Sequence, residues 1–95
     1  MTGDDTDRAI LALDDVFAEL MRATSLFPPM HSPHEGYAVI LEELDELKEE
    51  VFKQHHSRSP IALRKEAMHV SAMALRFMID CCDNSKEVAN ENGED

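Results

Sequence analysis

Glu43, Glu46 and Glu50 recur at steps of three and four within the stretch EGYAVILEELDELKEEV. On a helical wheel at ~100° per residue they share a face with Val39 and Leu47, with Ile40 and Val51 at its edge. Glu42, Asp45 and Glu49 cluster on a different, polar face. Further along, Glu66 and His69 share a face with Val70, Met73, Phe77 and Asp80. Carboxylates beside an apolar seam repel one another, and partial burial worsens the repulsion. Three arrangements relieve it: a basic partner, a raised pKa, or a metal ion. Glu43 and Glu46 lie one helical step apart, so both can reach a single hard cation. If the helix carrying Glu66 packs antiparallel to theirs, Glu66 faces the pair. Glutamate oxygens suit Mg2+, or Mn2+ as the alternative, better than Zn2+. Taken singly, each acid also fits an ordinary boundary role, its stem packed and its head in water.

Three long helices have to position these groups. Ile10, Leu13, Phe17 and Leu20 recur at steps of three and four, widened by Leu11, Val16 and Met21, and predict a helix over about 6–24. The loop SLFPPMHSPHEG contains two consecutive prolines and ends the first helix. Ser32 as N-cap, Pro33 at the first helical position and Glu35 as the acid of a capping box start a second helix, running to about 54. Residues 55–59 connect. Ser59-Pro60 then repeats the cap-and-proline start for a third helix, to about 82. That helix is apolar around most of its circumference, which predicts burial on nearly all sides, with a partner subunit supplying part of the cover. Residues 1–5 and about 84–95 are polar and read as flexible ends. The fold class is therefore all-α: one domain over 1–95, an antiparallel bundle of three main helices completed by oligomerisation.

Bulk properties narrow the function. The chain has 95 residues and a net charge of −11. Nucleic-acid polymers and anionic membranes call for basic surfaces and are excluded as partners. An acidic protein can still take an anionic nucleotide when a divalent cation bridges carboxylate and phosphate. No apolar stretch is long enough to span a bilayer, and no positively charged start precedes an apolar run as in a signal peptide. Cys81 and Cys82 are adjacent and point about 100° apart on a helix, against a structural disulfide. Together these predict a reduced, cytoplasmic setting, with the cysteines as buried packing near a helix end.

Glu42-Glu43-Leu44-Asp45-Glu46, with Glu66 on a later helix, resembles the MazG-like branch of the all-α nucleoside triphosphate pyrophosphohydrolases. The family pattern is E-x-x-E, a connection, then E-x-x-D. HEGYAVILEELDEL and KEAMHVSAMALRFMID extend the likeness over about 33–80. The one departure is His69, where the pattern has Asp. The resemblance implies Mg2+-dependent hydrolysis of a (deoxy)nucleoside triphosphate to monophosphate and pyrophosphate, in nucleotide-pool house-cleaning. It implies Glu43, Glu46 and Glu66 as metal ligands, with His69 as a fourth ligand or a group behind the ligands. Glu50 is then an extra ligand or the base that positions water. A homodimer or homotetramer is expected.

Other residues have weaker claims. Phe27 and Tyr37 offer rings on which a base could stack, and His34 lies in a helix's first turn where an anion binds. Arg76, ahead of Arg64 and Lys65, offers a fork for phosphate; its alternative is a salt bridge to Glu43 or to a partner subunit. Two other classes stay open. One is a catalytically inactive binding or assembly module of the same fold. The other is a redox-active metal-carboxylate bundle, suggested by Glu66-x-x-His69.

Overall fold

The computed structural model describes residues 3–83, which form helices and connections and no strand. Helix α1 spans Gly3–Leu26, α2 Pro33–Val51 and α3 Pro60–Phe77. A 3-10 turn, His55–Ser57, joins α2 to α3, and a π-helical turn, Met78–Asp83, prolongs α3. No described helix is long and apolar enough to cross a membrane. The tail expected to be flexible lies outside the described residues.

Each helix start follows from local chemistry. Ser32 Oγ accepts from the Glu35 amide at 3.1 Å, and Ser59 Oγ from the Ala62 amide at 3.2 Å, each just before a proline at the first helical position. Glu35 closes its box one residue early, accepting from the His31 amide at 2.6 Å rather than from Ser32. Helix α1 begins at Gly3, ahead of the expected 6, because Asp4 and Asp5 sit in its first turn, where negative charge offsets the helix dipole. Helix α2 ends at Val51, before the expected 54, where the Phe52 amide bonds the Lys48 carbonyl at 3.0 Å.

Helix α3 is central and packs on both α1 and α2. The core is small: Leu20, Ala23, Met30, Ala72 and Met73, with Val16, Val39, Ile40, Leu75, Phe77 and Cys81 against it. Gly36 leaves room for the Phe77 side chain of α3 against α2, since a Cβ there would lie 2.6 Å from the Phe77 ring and 3.1 Å from Met30 Sδ. The Pro28-Pro29 loop is tied to the end of α3. Arg76 Nη2 donates to the Pro28 carbonyl at 2.8 Å, the Met30 amide donates to Asp80 Oδ2 at 2.9 Å, and Cys81 Sγ meets the Ser32 carbonyl at 3.5 Å. Both cysteines are free; Cys81 is half-buried as expected of packing, whereas Cys82 is exposed.

On α1 the buried side differs from the stripe that the apolar period marks. The inward side of α1 is Val16, Glu19, Leu20 and Ala23, while Ile10, Leu13 and Phe17 are 49%, 64% and 60% exposed. The anticipated stripe thus lies roughly a quarter of a turn away from the line that meets α3, sharing Leu20 with it. The described residues of one chain do not cover the third helical stretch all round: Ile61 in α3 and Met78 and Ile79 in the turn after it are exposed, which is where cover from a partner subunit would be needed.

Candidate metal centre

The antiparallel return of α3 along α2 brings Glu66 and His69 against Glu43 and Glu46. One ligand atom from each of these four residues lies within 4.8 Å of all the others. Glu43, Glu66 and His69 are about four-fifths buried, and Glu46 forms the exposed side. His69 Nδ1 lies 3.6 Å from Glu43 Oε1 and 3.7 Å from Glu66 Oε1. These gaps exceed a hydrogen bond. They also exceed the ~3 Å between adjacent ligands around a six-coordinate ion with bonds of ~2.1 Å, so the side chains would have to draw in slightly to share one. The two oxygens concerned, Glu43 Oε1 and Glu66 Oε1, are buried and have no hydrogen-bond partner. Such atoms are costly unless something else satisfies them, and a divalent cation does so for both at once. The donor set and its orphaned oxygens therefore fit a metal.

Electrostatics agree. Burial, then repulsion from Glu46 and Glu66, pushes the Glu43 carboxyl above its usual range, with His69 opposing. A cation would reverse that shift.

A cleft of about 360 Å3 opens beside the cluster. That volume is at the small end of ligand pockets. Glu42, Glu43, Glu46 and His69 line it together with Phe27, Arg22 and Arg76. Arg76 is buried, and it holds the Pro28 carbonyl and lies 3.9 Å from Asp80; its ion-pair partner is Asp80 and not Glu43. Phe27 is half-exposed on the cleft. Tyr37 and His34 are exposed and not among the residues lining it. The reason is rotational: Gly36 faces α3, so Tyr37 is turned ~100° away and His34 ~200°. Glu50 lies a turn beyond Glu46, outside the four-residue group; its Oε2 accepts from Lys53 Nζ at 2.9 Å and its buried Oε1 has no partner. Arg64 pairs with Asp15 at 2.8 Å, away from the centre.

Helix α1 contributes a layer that periodicity alone passes over. Glu19 is buried and receives two bonds from Arg22, Nε to Oε1 at 2.9 Å and Nη2 to Oε2 at 2.7 Å. Glu19 Oε2 also lies 3.7 Å from His69 Nε2. The Arg22 bond holds the Glu19 carboxyl below its usual range, so it stays ionised. The signal in the sequence is an acid flanked by Val16, Leu20 and Ala23, the same pattern that marks α2. No family model, curated protein or solved structure matches this chain.

Proposed function

We propose that the chain is a divalent-metal-dependent hydrolase that cleaves (deoxy)nucleoside triphosphates to monophosphate and pyrophosphate, in cytoplasmic nucleotide-pool house-cleaning. The reading rests on one observation: four donors from two helices converge within 4.8 Å, two of their oxygens buried and unpartnered. The E-x-x-E and E-x-x-H spacings and their likeness to the MazG-like pattern support it. Glu43, Glu46 and Glu66 would hold the ion, Mg2+ or Mn2+, with His69 as the fourth ligand. When bound, it would neutralise phosphate charge and acidify water for attack at phosphorus. Arg22, half-exposed on the same cleft, presents its guanidinium to the phosphate chain, with the buried Arg76 behind it on the Pro28 carbonyl. Phe27 offers its half-exposed ring to the base. Glu50, with one oxygen on Lys53 and the other unpartnered, positions water. The reaction adds water across the bond joining the α- and β-phosphates, and pyrophosphate departs.

The enzyme acts as a homodimer or homotetramer. The apolar side of α1, with Leu13 and Phe17 more than half exposed, supplies a contact surface. Pyrophosphate release from a panel of standard and modified nucleotides, with Mg2+ and with Mn2+, tests the activity. We expect release with at least one nucleotide, and a loss of about 100-fold or more in Glu43→Gln. Silence across the panel contradicts the enzyme reading. It favours a non-catalytic module of the same fold, for which His69 in place of the pattern's Asp is the supporting feature.

A further inference from the structure

The two ring nitrogens of His69 face different helices. Nδ1 points at Glu43 Oε1 on α2 and at Glu66 Oε1 on its own helix, at 3.6 and 3.7 Å. Nε2 points at Glu19 Oε2 on α1, at 3.7 Å. A histidine that ligates an ion must be neutral, with one N–H and one lone pair, so in the loaded centre its two sides need opposite partners. Glu19 is an acceptor outside the four-donor group, nine-tenths buried and locked by two bonds from Arg22. Metal-binding histidines commonly donate their second N–H to such a carboxylate, which fixes the tautomer and aims the ring.

We propose that Glu19 is a positioning residue that turns the His69 Nδ1 lone pair into the carboxylate cluster, giving the centre a nitrogen ligand and a preference for Mn2+ over Mg2+. The inference rests on the metal-centre reading above. The N–H on Nε2 goes to Glu19; the 3.7 Å gap closes with a side-chain movement of less than about 1 Å, as such contacts do on loading. An all-oxygen set suits Mg2+, which gives up its waters reluctantly. An imidazole nitrogen adds affinity for transition ions and little for Mg2+. A histidine at this place in the cluster thus sets the choice of ion, and Glu19, itself held by Arg22, keeps its ring aimed.

Electron paramagnetic resonance on the full chain reads this without turnover. Loss of the free Mn2+ signal gives affinity, competition with Mg2+ gives the preference, and spin-echo modulation reports nitrogen bound to the ion. The wild type should bind Mn2+ with nitrogen modulation. His69→Asp should still bind Mn2+ but lose the modulation, with the Mn2+ over Mg2+ preference reduced about ten-fold or more. Glu19→Ala should weaken Mn2+ about 10–100-fold, and Glu19→Gln, which keeps an acceptor oxygen, should recover most of that loss. Circular dichroism checks that each variant folds; His69→Asp carries the test if Glu19→Ala does not. Mn2+ bound without nitrogen modulation, or an unchanged preference in His69→Asp, overturns the inference and leaves the metal centre standing. Failure of the wild type to bind either ion overturns both.

Discussion

Glu43 and Glu19 lie on opposite sides of His69 and titrate in opposite directions. Glu43 is raised by burial and by its acidic neighbours. A raised folded pKa gives stability that is present at low pH and lost as pH climbs through that pKa. The metal-free protein should therefore weaken as pH rises from the ordinary carboxylate range toward neutrality, and Glu43→Gln should remove that dependence. Thermal melts at pH 7 with chelator are expected to place Glu43→Gln several degrees above the wild type, while the variant gains nothing from added Mg2+ or Mn2+. A lower melting point in chelator would mean that the carboxylate is satisfied within the protein. Glu19 is lowered by Arg22, so its contribution is present at neutral pH and lost as pH falls through the carboxylate range. The four donors are legible in the sequence because each pair repeats at i, i+3 beside an apolar stripe. Glu19 sits in the same kind of pattern among Val16, Leu20 and Ala23, but its role does not show there, because the histidine it faces is 50 residues away and only the packing of α1 on α3 brings the two together.

At the scale of the elements, the cap-and-proline starts at Ser32 and Ser59 make α2 and α3 readable to the residue, since both signals are local. The ends are less so, because tertiary ties override propensity there. Helix α3 passes into a π-helical turn at Met78, within which Asp80 takes the Met30 amide. Gly36 is another feature with a non-local cause: it reads as an indifferent helix residue until Phe77 and Met30 are seen against it. Glycine in a helix is ordinarily unfavourable, and Gly→Ala in open space stabilises. Here we expect the reverse. Gly36→Ala should lower stability by about 1–3 kcal/mol in denaturant titration, because the new methyl displaces the Phe77 ring. A gain of stability would show that the α2–α3 contact yields freely.

At the scale of the whole molecule, the described residues leave much apolar surface uncovered. Five small or flexible residues make up the buried core, while Leu11, Leu13, Phe17, Phe52 and Ile61 are each more than half exposed. A core of this size is marginal for a free-standing domain. The length and apolar content of the chain make this need legible in advance, but not its location: hydrophobic period identifies which residues group together and not which side of α1 meets α3. Sedimentation of the wild type should give a dimer or tetramer, and Leu13→Asp with Phe17→Asp should shift it toward monomer; a monomeric wild type at micromolar concentration would remove the oligomer from the account. The central claim is that acids from α2 and α3 share one divalent ion, and calorimetric titration of Mg2+ and Mn2+ into wild type, Glu43→Gln and Glu66→Gln tests it most directly. The wild type should bind at least one ion saturably, and neither variant should bind any. Binding unchanged in both variants, or absent from the wild type, would contradict it.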